Sequence, residues 1–373
     1  MTRECRGRWR LLLQTAALTA WLAGAGYRAP EPTFQGFGAG TTGGAGGPVV
    51  TVTNLNDSGP GSLRQAIAAG NRTVVFGLAG DIVLASYLHV LGAHLTIDGA
   101  TAPPPGVTLR SAGLVIRGSE GAHDVIVRAI RVRGAPLDGI QVASGAYNVV
   151  IDHVSVHGAG DGNLDITEGA RNVTVSWSIF AEPASGKTML IKYGATRVSL
   201  HHSLFVNGAT RNPLVASDDA GTPAADTTVD MRNNVVWGWG RGYGTAVRYG
   251  ARANIVANVY ASPASSPRHR RNALVVSEAR AAGRARLAAG RAYVRANVSG
   301  DGLPFDVDAL GTEAGPFPAV PVDTEPGCLA ARRVVAGAGV RPLDEVDRRA
   351  VVAVTLPRCP DAGAGAAELE TAR

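Results

Sequence analysis

Asp124-Val-Ile-Val-Arg-Ala-Ile-Arg-Val132, Asn148-Val-Val-Ile-Asp-His-Val-Ser-Val156 and Asn172-Val-Thr-Val-Ser-Trp-Ser-Ile-Phe180 are three versions of one pattern, spaced 24 residues apart. A fourth version, Arg197-Val-Ser-Leu-His-His-Ser-Leu-Phe205, follows 25 residues later. A longer step reaches Val229-Asp-Met-Arg-Asn-Asn-Val-Val-Trp237, and 24 more residues reach Ala253-Asn-Ile-Val-Ala-Asn-Val-Tyr260. Each unit carries two short alternating apolar runs with a polar interruption, the mark of short strands. A unit this small cannot bury its own apolar face. Stacking the units does, with strands ~4.8 Å apart from coil to coil. The period therefore predicts an all-β, right-handed parallel β-helix, a solenoid that grows by adding coils.

Residues one period apart then form columns. Val125, Val149, Val173 and Val198 make one, and Val127, Ile151, Val175 and Leu200 another. Asn148 and Asn172 share a column at a turn, where side-chain amides bond from rung to rung. His153, Trp177, His202 and Asn234 are assigned to a column with Ala129 and read as ladder residues rather than as a metal or base site. His201-His202 reads as structural, a support for the loop of Arg211.

Earlier in the chain, Leu95-Thr-Ile-Asp-Gly99 resembles a less regular coil, and Val49–Thr53 a strand. Ser62-Leu-Arg-Gln65 has the form of a capping box, so Ser62–Ala69 reads as a short helix over the open end of the solenoid. The regular period fades after residue 262. Residues 268–296, rich in Arg and Ala, read as a loop or surface helix. Residues 302–327 read as irregular chain packed on the solenoid, and 336–349 as a terminal element with a helix.

The first residues read as a targeting segment. Arg3, Arg6, Arg8 and Arg10 precede a mostly apolar stretch, Leu11–Leu22, and the small residues Ala23-Gly24-Ala25. This is a secretory signal peptide in form, with an uncleaved anchor as the competing reading. The expected organisation is 1–25 signal peptide, 26–262 β-helix catalytic domain, 263–360 extension and 361–373 disordered tail. The formal charge of the chain is +6. Loss of residues 1–25 removes four Arg and one Glu and leaves +3, too mildly basic to support a nucleic-acid role. Cys328 and Cys359 remain after Cys5 leaves, an even pair that would staple the C-terminal tail if bonded. A solenoid buries its own core, so a monomer is expected, with no membrane partner after signal removal.

Phase within the coil locates the chemistry. Asp138 lies 14 residues after Asp124, Asp161 and Asp165 lie 13 and 17 after Asn148, Lys187 lies 15 after Asn172, and Arg211 lies 14 after Arg197. Four successive coils thus place these side chains in one stripe on one outer face, ~14 Å long by strand spacing. Three carboxylates on two adjacent coils suit Ca²⁺, a hard cation that takes oxygen ligands. Solvated turn aspartates are the plainer reading. Lys187 and Arg211 continue the stripe with positive charge, which favours a polyanionic ligand bearing carboxylates. Lys192 is a second basic candidate, with a poorer phase.

These segments resemble polysaccharide lyase family 1, the pectate lyases. The resemblance covers roughly 34–262, with a weaker echo at 334–352. It is carried by Gly36-Phe-Gly-Ala-Gly-Thr-Thr-Gly-Gly44, Val52-Thr-Asn-Leu-Asn-Asp-Ser-Gly-Pro-Gly-Ser-Leu-Arg64, Val150-Ile-Asp-His-Val-Ser155, Val198-Ser-Leu-His-His-Ser-Leu-Phe205 and Met231-Arg-Asn-Asn-Val-Val-Trp-Gly-Trp-Gly240. The resemblance implies a secreted, calcium-dependent enzyme that cleaves polygalacturonate (pectate) by β-elimination. It maps the calcium ligands to Asp138, Asp161 and Asp165, the substrate lysine to Lys187, and the catalytic arginine to Arg211, in Arg211-Asn212-Pro213. A guanidinium is a poor base in water, because its ordinary pKa is very high. The role of Arg211 therefore comes from the resemblance and requires cations nearby.

Two positions depart from the pattern. The family's second arginine, five residues after the first, is Ala216 here, and an additional aspartate two residues before the first calcium ligand is Pro136. Two other readings stand beside the lyase. One is a non-catalytic β-helix that holds an acidic polysaccharide. The other is a hydrolase on the same scaffold, which needs a pair of closely placed carboxylates such as Asp161 and Asp165.

Overall fold

The computed structural model describes residues 33–217, 226–240, 242–263, 272–277, 280–282, 285–299 and 310–356. The repeating segments form three parallel sheets that run the length of a solenoid. Each complete coil contributes one strand to each sheet in turn. In one coil these are Tyr147–Asp152 in the first sheet, Ser155–His157 in the second and Leu164–Ile166 in the third. Among the described residues the first sheet holds ten strands, from Val49–Val52 to Arg291–Arg295. The coils wind right-handed, as crossovers between parallel strands nearly always do.

The expected columns are register partners. Val125, Val149, Val173 and Val198 pair in series, as do Val127, Ile151, Val175 and Leu200. All of them are fully buried. Phe180 and Phe205 continue the core behind the second sheet, with ring centroids 5.5 Å apart. The asparagine column is real and longer than two residues. Arg197 Nε donates to Asn172 Oδ1 at 2.7 Å, Asn172 Nδ2 to Asn148 Oδ1 at 3.0 Å, and Asn148 Nδ2 to Asp124 at 3.3 Å. Asp124, Asn148 and Asn172 have φ of 51°, 53° and 55°. Asn and Asp tolerate this left-handed turn, which bends each strand entering the first sheet.

The column assigned to Asn234 belongs to Asn233. His201 pairs with Arg232, and Asn233 carries the left-handed backbone (φ 55°) shared by Ala129, His153, Trp177 and His202. The long step from the fourth unit is one residue shorter than the motif alignment implied. Because side chains alternate with period two, a slip of one moves a residue to the opposite face. Asn234 instead joins a buried ladder, accepting from Ser203 N and donating to Asn258 Oδ1.

The solenoid also runs one coil past residue 262. Leu274–Val276, Arg291–Arg295 and Val298–Ser299 add to the third, first and second sheets. Part of the Arg- and Ala-rich stretch is therefore strand, and no helix occurs in it among the described residues. Apolar Ala292 and Val294 alternate with exposed Arg291 and Arg295, which satisfies a strand pattern within a basic segment.

The ends and outer faces are covered by irregular chain and helices. Helix α1 (Leu63–Ala66) is shorter than expected and is capped by Ser62, whose Oγ accepts from Gln65 N. The Gly-rich run 36–47 lies directly on the first sheet. A Cβ on Gly38 would sit 2.9 Å from Thr174 N and Val149 O, so only glycine allows this approach. The segment 310–326 crosses the same sheet, with Asn254 Nδ2 donating to Phe317 O and Asn233 Nδ2 to Glu325 O. Two C-terminal helices, α2 (Gly327–Gly337) and α3 (Glu345–Ala353), stand where one was expected. Ala331, Val334 and Ala350 pack on Ile179, Leu204, Val235 and Val259, on the outside of the second sheet.

Arg131 and Arg133 project from the second sheet into a buried ion cluster with Asp344 and Asp347. Cys328 is disulfide-bonded, while Cys359, the signal segment 1–25 and the tail 361–373 lie outside the described residues. No helix of the described residues is long and apolar enough to cross a membrane.

Candidate active site

The five predicted site residues stand together at the entry to the third sheet. In every coil a turn leads from the second sheet to the third, and these turns stack. Gly139 N bonds to Gly162 O, Asn163 N to Thr188 O, Thr188 N to Thr210 O and Met189 N to Arg211 O. Asp138, Asp161, Lys187 and Arg211 ride on these stacked turns, while Asp165 projects from the strand Leu164–Ile166. Its strand neighbours Leu164 and Ile166 face the core, so Asp165 faces outward.

Asp138 and Asp165 meet across the backbone of Gly162. Gly162 N donates to Asp138 Oδ1 at 2.9 Å. A Cβ on Gly162 would lie 2.3 Å from Asp165 Oδ1 and 3.2 Å from Asp138 Oδ1. Glycine is thus required for the two carboxylates to approach. Leu190 N donates to Asp165 Oδ1 at 3.2 Å, and Gln141 Nε2 lies 3.5 Å from Asp138 Oδ2. Arg117 fixes Gln141 in turn through Nη2 at 2.7 Å.

Burial pushes the Asp165 carboxyl up to about 7, with the Asp138 charge adding to the rise and Arg211 opposing it. Burial also raises Asp138, while the Gly162 N–H holds it down and Asp161 raises it further. Two carboxylates that resist ionising together are what an acidic cation site looks like before a cation neutralises it. The oxygen-only donor set and the Gly162 cradle fit a hard divalent cation.

Asp161 is drawn elsewhere. Its Oδ1 lies 2.7 Å from Lys187 Nζ on the next coil, and the pair is well exposed. The three aspartates do not form a group converging within 4.8 Å; among the described residues that property belongs to His94, His123 and Asp124.

Arg211 sits on a tightly held turn. Its φ is 60°, and a cis bond joins Asn212 to Pro213. Buried Asn212 accepts from Thr188 Oγ1 at 2.6 Å and donates to Gly208 O at 3.1 Å. These bonds fix the backbone from which the guanidinium projects beside Asp165.

Sequence reasoning missed Arg248. It pairs in register with Ala216 one coil along, and its guanidinium lies 4.7 Å over the Tyr243 ring. Its Nε is buried with no hydrogen-bond partner. The available signal was phase: Arg248 falls in the column of Ala216, visible once the long insertion is registered. Lys192 lies on the same face, buried, with Nζ 4.4 Å over the Tyr193 ring. The histidines expected near Arg211 are not there. His201 Nδ1 lies 3.1 Å from His202 Nδ1, and His202 stacks on Trp177 at the corner between the first and second sheets.

Comparison with known proteins bears on the fold and on sequence likeness. No family model matches the chain. A protein named "Probable pectate lyase C" from Aspergillus terreus is 36% identical over 245 residues, covering 63% of this chain and 55% of that protein. One of the same name from Emericella nidulans is 40% identical over 222 residues, covering 57% and 48%. The chain therefore spans about half the length of the curated relatives it matches. Among solved structures, the cedar pollen allergen Jun a 1 superposes with a TM-score of 0.65 at 24% identity, covering 82% of this chain and 92% of that one. A pectate lyase from Bacillus sp. N165, in complex with trigalacturonate, gives 0.62 at 20% identity, covering 82% and 98%. The fold expected from the 24-residue period is thus the fold of these proteins, and the resemblance to pectate lyases holds in sequence as well.

Proposed function

We propose that this chain is a secreted, calcium-dependent polysaccharide lyase that cleaves pectate by β-elimination. The observation that carries the reading is the stripe itself. Asp138, Asp161, Asp165, Lys187 and Arg211 occupy four successive coils, with an acidic centre at Asp165 and basic groups immediately beyond it.

Asp138, Asp165 and, after turning from Lys187, Asp161 would hold the cation. Bound calcium would draw in the uronate carboxylate and stabilise the negative charge that develops as the neighbouring C5 proton leaves. Lys187, released from Asp161, pairs with a substrate carboxylate. Arg211, as the neutral guanidine, takes the C5 proton and becomes the guanidinium. The C5 electron pair forms the C4–C5 double bond as the C4–O glycosidic bond breaks, the departing oxygen gains a proton from water, and the hydroxide left behind takes the proton back from Arg211. The rigid Gly208–Asn212 turn holds Arg211 in place, so little reorganisation is needed at the moment of reaction.

Arg248 supplies the positive charge that Ala216 lacks. It lies in the same column, one coil on, and its half-buried guanidinium suits a uronate carboxylate further along the groove. If Arg248 does not act this way, the missing charge at Ala216 favours a protein that binds acidic polysaccharide without cleaving it.

The deciding experiment incubates purified protein with polygalacturonate, with calcium and then with chelator, while following absorbance of the unsaturated uronate. A calcium-dependent rise that Arg211→Ala abolishes is expected. Retained binding with a flat trace selects the binding protein. New reducing ends without absorbance select hydrolysis.

A further inference from the structure

His94, His123 and Asp124 gather on two neighbouring coils, at the corner where the chain enters the first sheet. Leu95 pairs with Val125, which sets His94 one coil from Asp124. One donor atom from each of the three lies within 4.8 Å of the others. The His94 and His123 rings meet edge to face, with centroids 5.2 Å apart.

The group is held in place from several sides. His123 stacks flat on Tyr147 at 4.6 Å, and Arg171 lies over the other part of that ladder, 4.6 Å from the Tyr147 centroid. Asp124 Oδ2 lies 3.0 Å from His123 Nδ1. Thr42, from the Gly-rich N-terminal run, donates to Asp124 Oδ1 at 3.3 Å and lies 3.1 Å from His94 Nδ1. Asp124 thus lies within hydrogen-bond reach of one imidazole and is joined to the other by the Thr42 hydroxyl, so the three donor groups are held at one point.

The asparagine ladder adds an independent sign. Arg197, Asn172 and Asn148 each donate toward the preceding coil, and the chain of donors ends on Asp124. One coil earlier, the matching position is His94 rather than another amide. A ladder built only for rung-to-rung hydrogen bonding needs no carboxylate flanked by two imidazoles. The side chain of Asp124 is 10% exposed and that of His123 29%, so the group opens to solvent.

We propose that His94, His123 and Asp124 form a binding site for a zinc-class divalent cation, with water completing a four-coordinate shell. Two nitrogens and one oxygen suit zinc and neighbouring transition metals, whereas calcium and magnesium prefer oxygen ligands throughout. Ligand bonds of about 2.0–2.1 Å place tetrahedral donor atoms roughly 3.3 Å apart. Modest side-chain rotation brings the present group to that spacing. The cation joins two coils and, through Thr42, secures the N-terminal run against the first sheet. This site is separate from the acidic stripe and does not depend on the lyase reading.

The test is calorimetric titration of the full chain with zinc, after chelator treatment, in excess calcium to keep the acidic stripe filled. One zinc per chain is expected, bound at least tenfold more weakly by His94→Gln and by His123→Gln. Asp138→Asn should leave that affinity unchanged. Cobalt titration of the unaltered protein should give the visible bands of a four-coordinate site with imidazole ligands, a readout that survives any folding defect in the variants. Failure to bind zinc, affinity unchanged from the parent in both histidine variants, or a cobalt spectrum of the hydrated ion would each overturn the proposal.

Discussion

Lys187 Nζ lies 2.7 Å from Asp161 Oδ1, across one rung of the solenoid, and the ion pair stands at the boundary between the acidic and basic halves of the stripe. The two side chains are 38% and 46% exposed, so the pair contributes at most about 1 kcal/mol to stability. Its significance lies in what each partner does when the other lets go. Lys187→Met should leave the melting temperature within about a degree or two and raise KM for polygalacturonate about tenfold or more. A large loss of melting temperature would show that the pair is structural.

Asp165→Asn should separate stability from function. The isosteric amide keeps an acceptor for Leu190 N but removes a buried charge whose pKa stands at about 7. In the native metal-free protein, ionising Asp165 opposes folding as pH rises from about 4 through about 7. The variant should therefore be more stable than the parent at pH 8, by up to a few kcal/mol at about 1.4 kcal/mol per pKa unit, and no more stable at pH 4. Calcium affinity should fall at the same time. Melting curves at the two pH values, with calcium titrations, check both halves.

Gly162→Ala tests the cradle without touching a charge. Its Cβ would overlap Asp165 Oδ1 at 2.3 Å, so the carboxylate must turn aside. Calcium affinity should drop about tenfold or more while far-ultraviolet circular dichroism stays unchanged. An unaltered affinity would mean that the Asp138–Asp165 approach is not what binds the cation.

His201 should make the protein acid-sensitive. Burial pushes its pKa down to about 3, and that of His202 to about 4. Both imidazoles are neutral in the folded state, whereas the unfolded chain takes up protons below about pH 6.5. Stability from these groups is thus present above pH 6.5 and lost as pH falls toward 4, by up to about 1.4 kcal/mol per pH unit for each histidine. His201→Asn should flatten that slope in denaturant titrations, even if it lowers stability at pH 8.

Asp347→Ala should detach the C-terminal helices. Asp347 faces Arg133 Nη2 at 2.8 Å and Arg131 Nε at 3.4 Å, and all three side chains are nearly inaccessible. Removing the carboxylate strands two buried guanidiniums with only Asp344 between them, at a cost of about 3–5 kcal/mol. Faster proteolysis within 327–353, with the β-helix signal intact, is the expected outcome.

Much of this molecule is legible from its sequence, for a specific reason. A parallel β-helix repeats one local solution, so period, columns and core face follow from aligned residues such as Val125, Val149, Val173 and Val198. The same periodicity places Asp138, Asp161, Asp165, Lys187 and Arg211 in one stripe, because phase within a coil is equivalent to position around the solenoid. The insertion before Val229 broke that equivalence. A slip of one residue moved the column assignment from Asn233 to Asn234 and hid Arg248 from view.

What only the tertiary structure decided lies between elements distant in the chain. The path of Thr42 to His94 and Asp124, the closure of Asp344 and Asp347 on Arg131 and Arg133, and the approach of Asp138 to Asp165 over Gly162 depend on how segments pack, not on the repeat. The sequence determined the coil, since alternation and period act locally and recur. It did not determine burial at the site, and burial is what lifts Asp165 to about 7 and distinguishes the proposed cation site from a row of solvated aspartates.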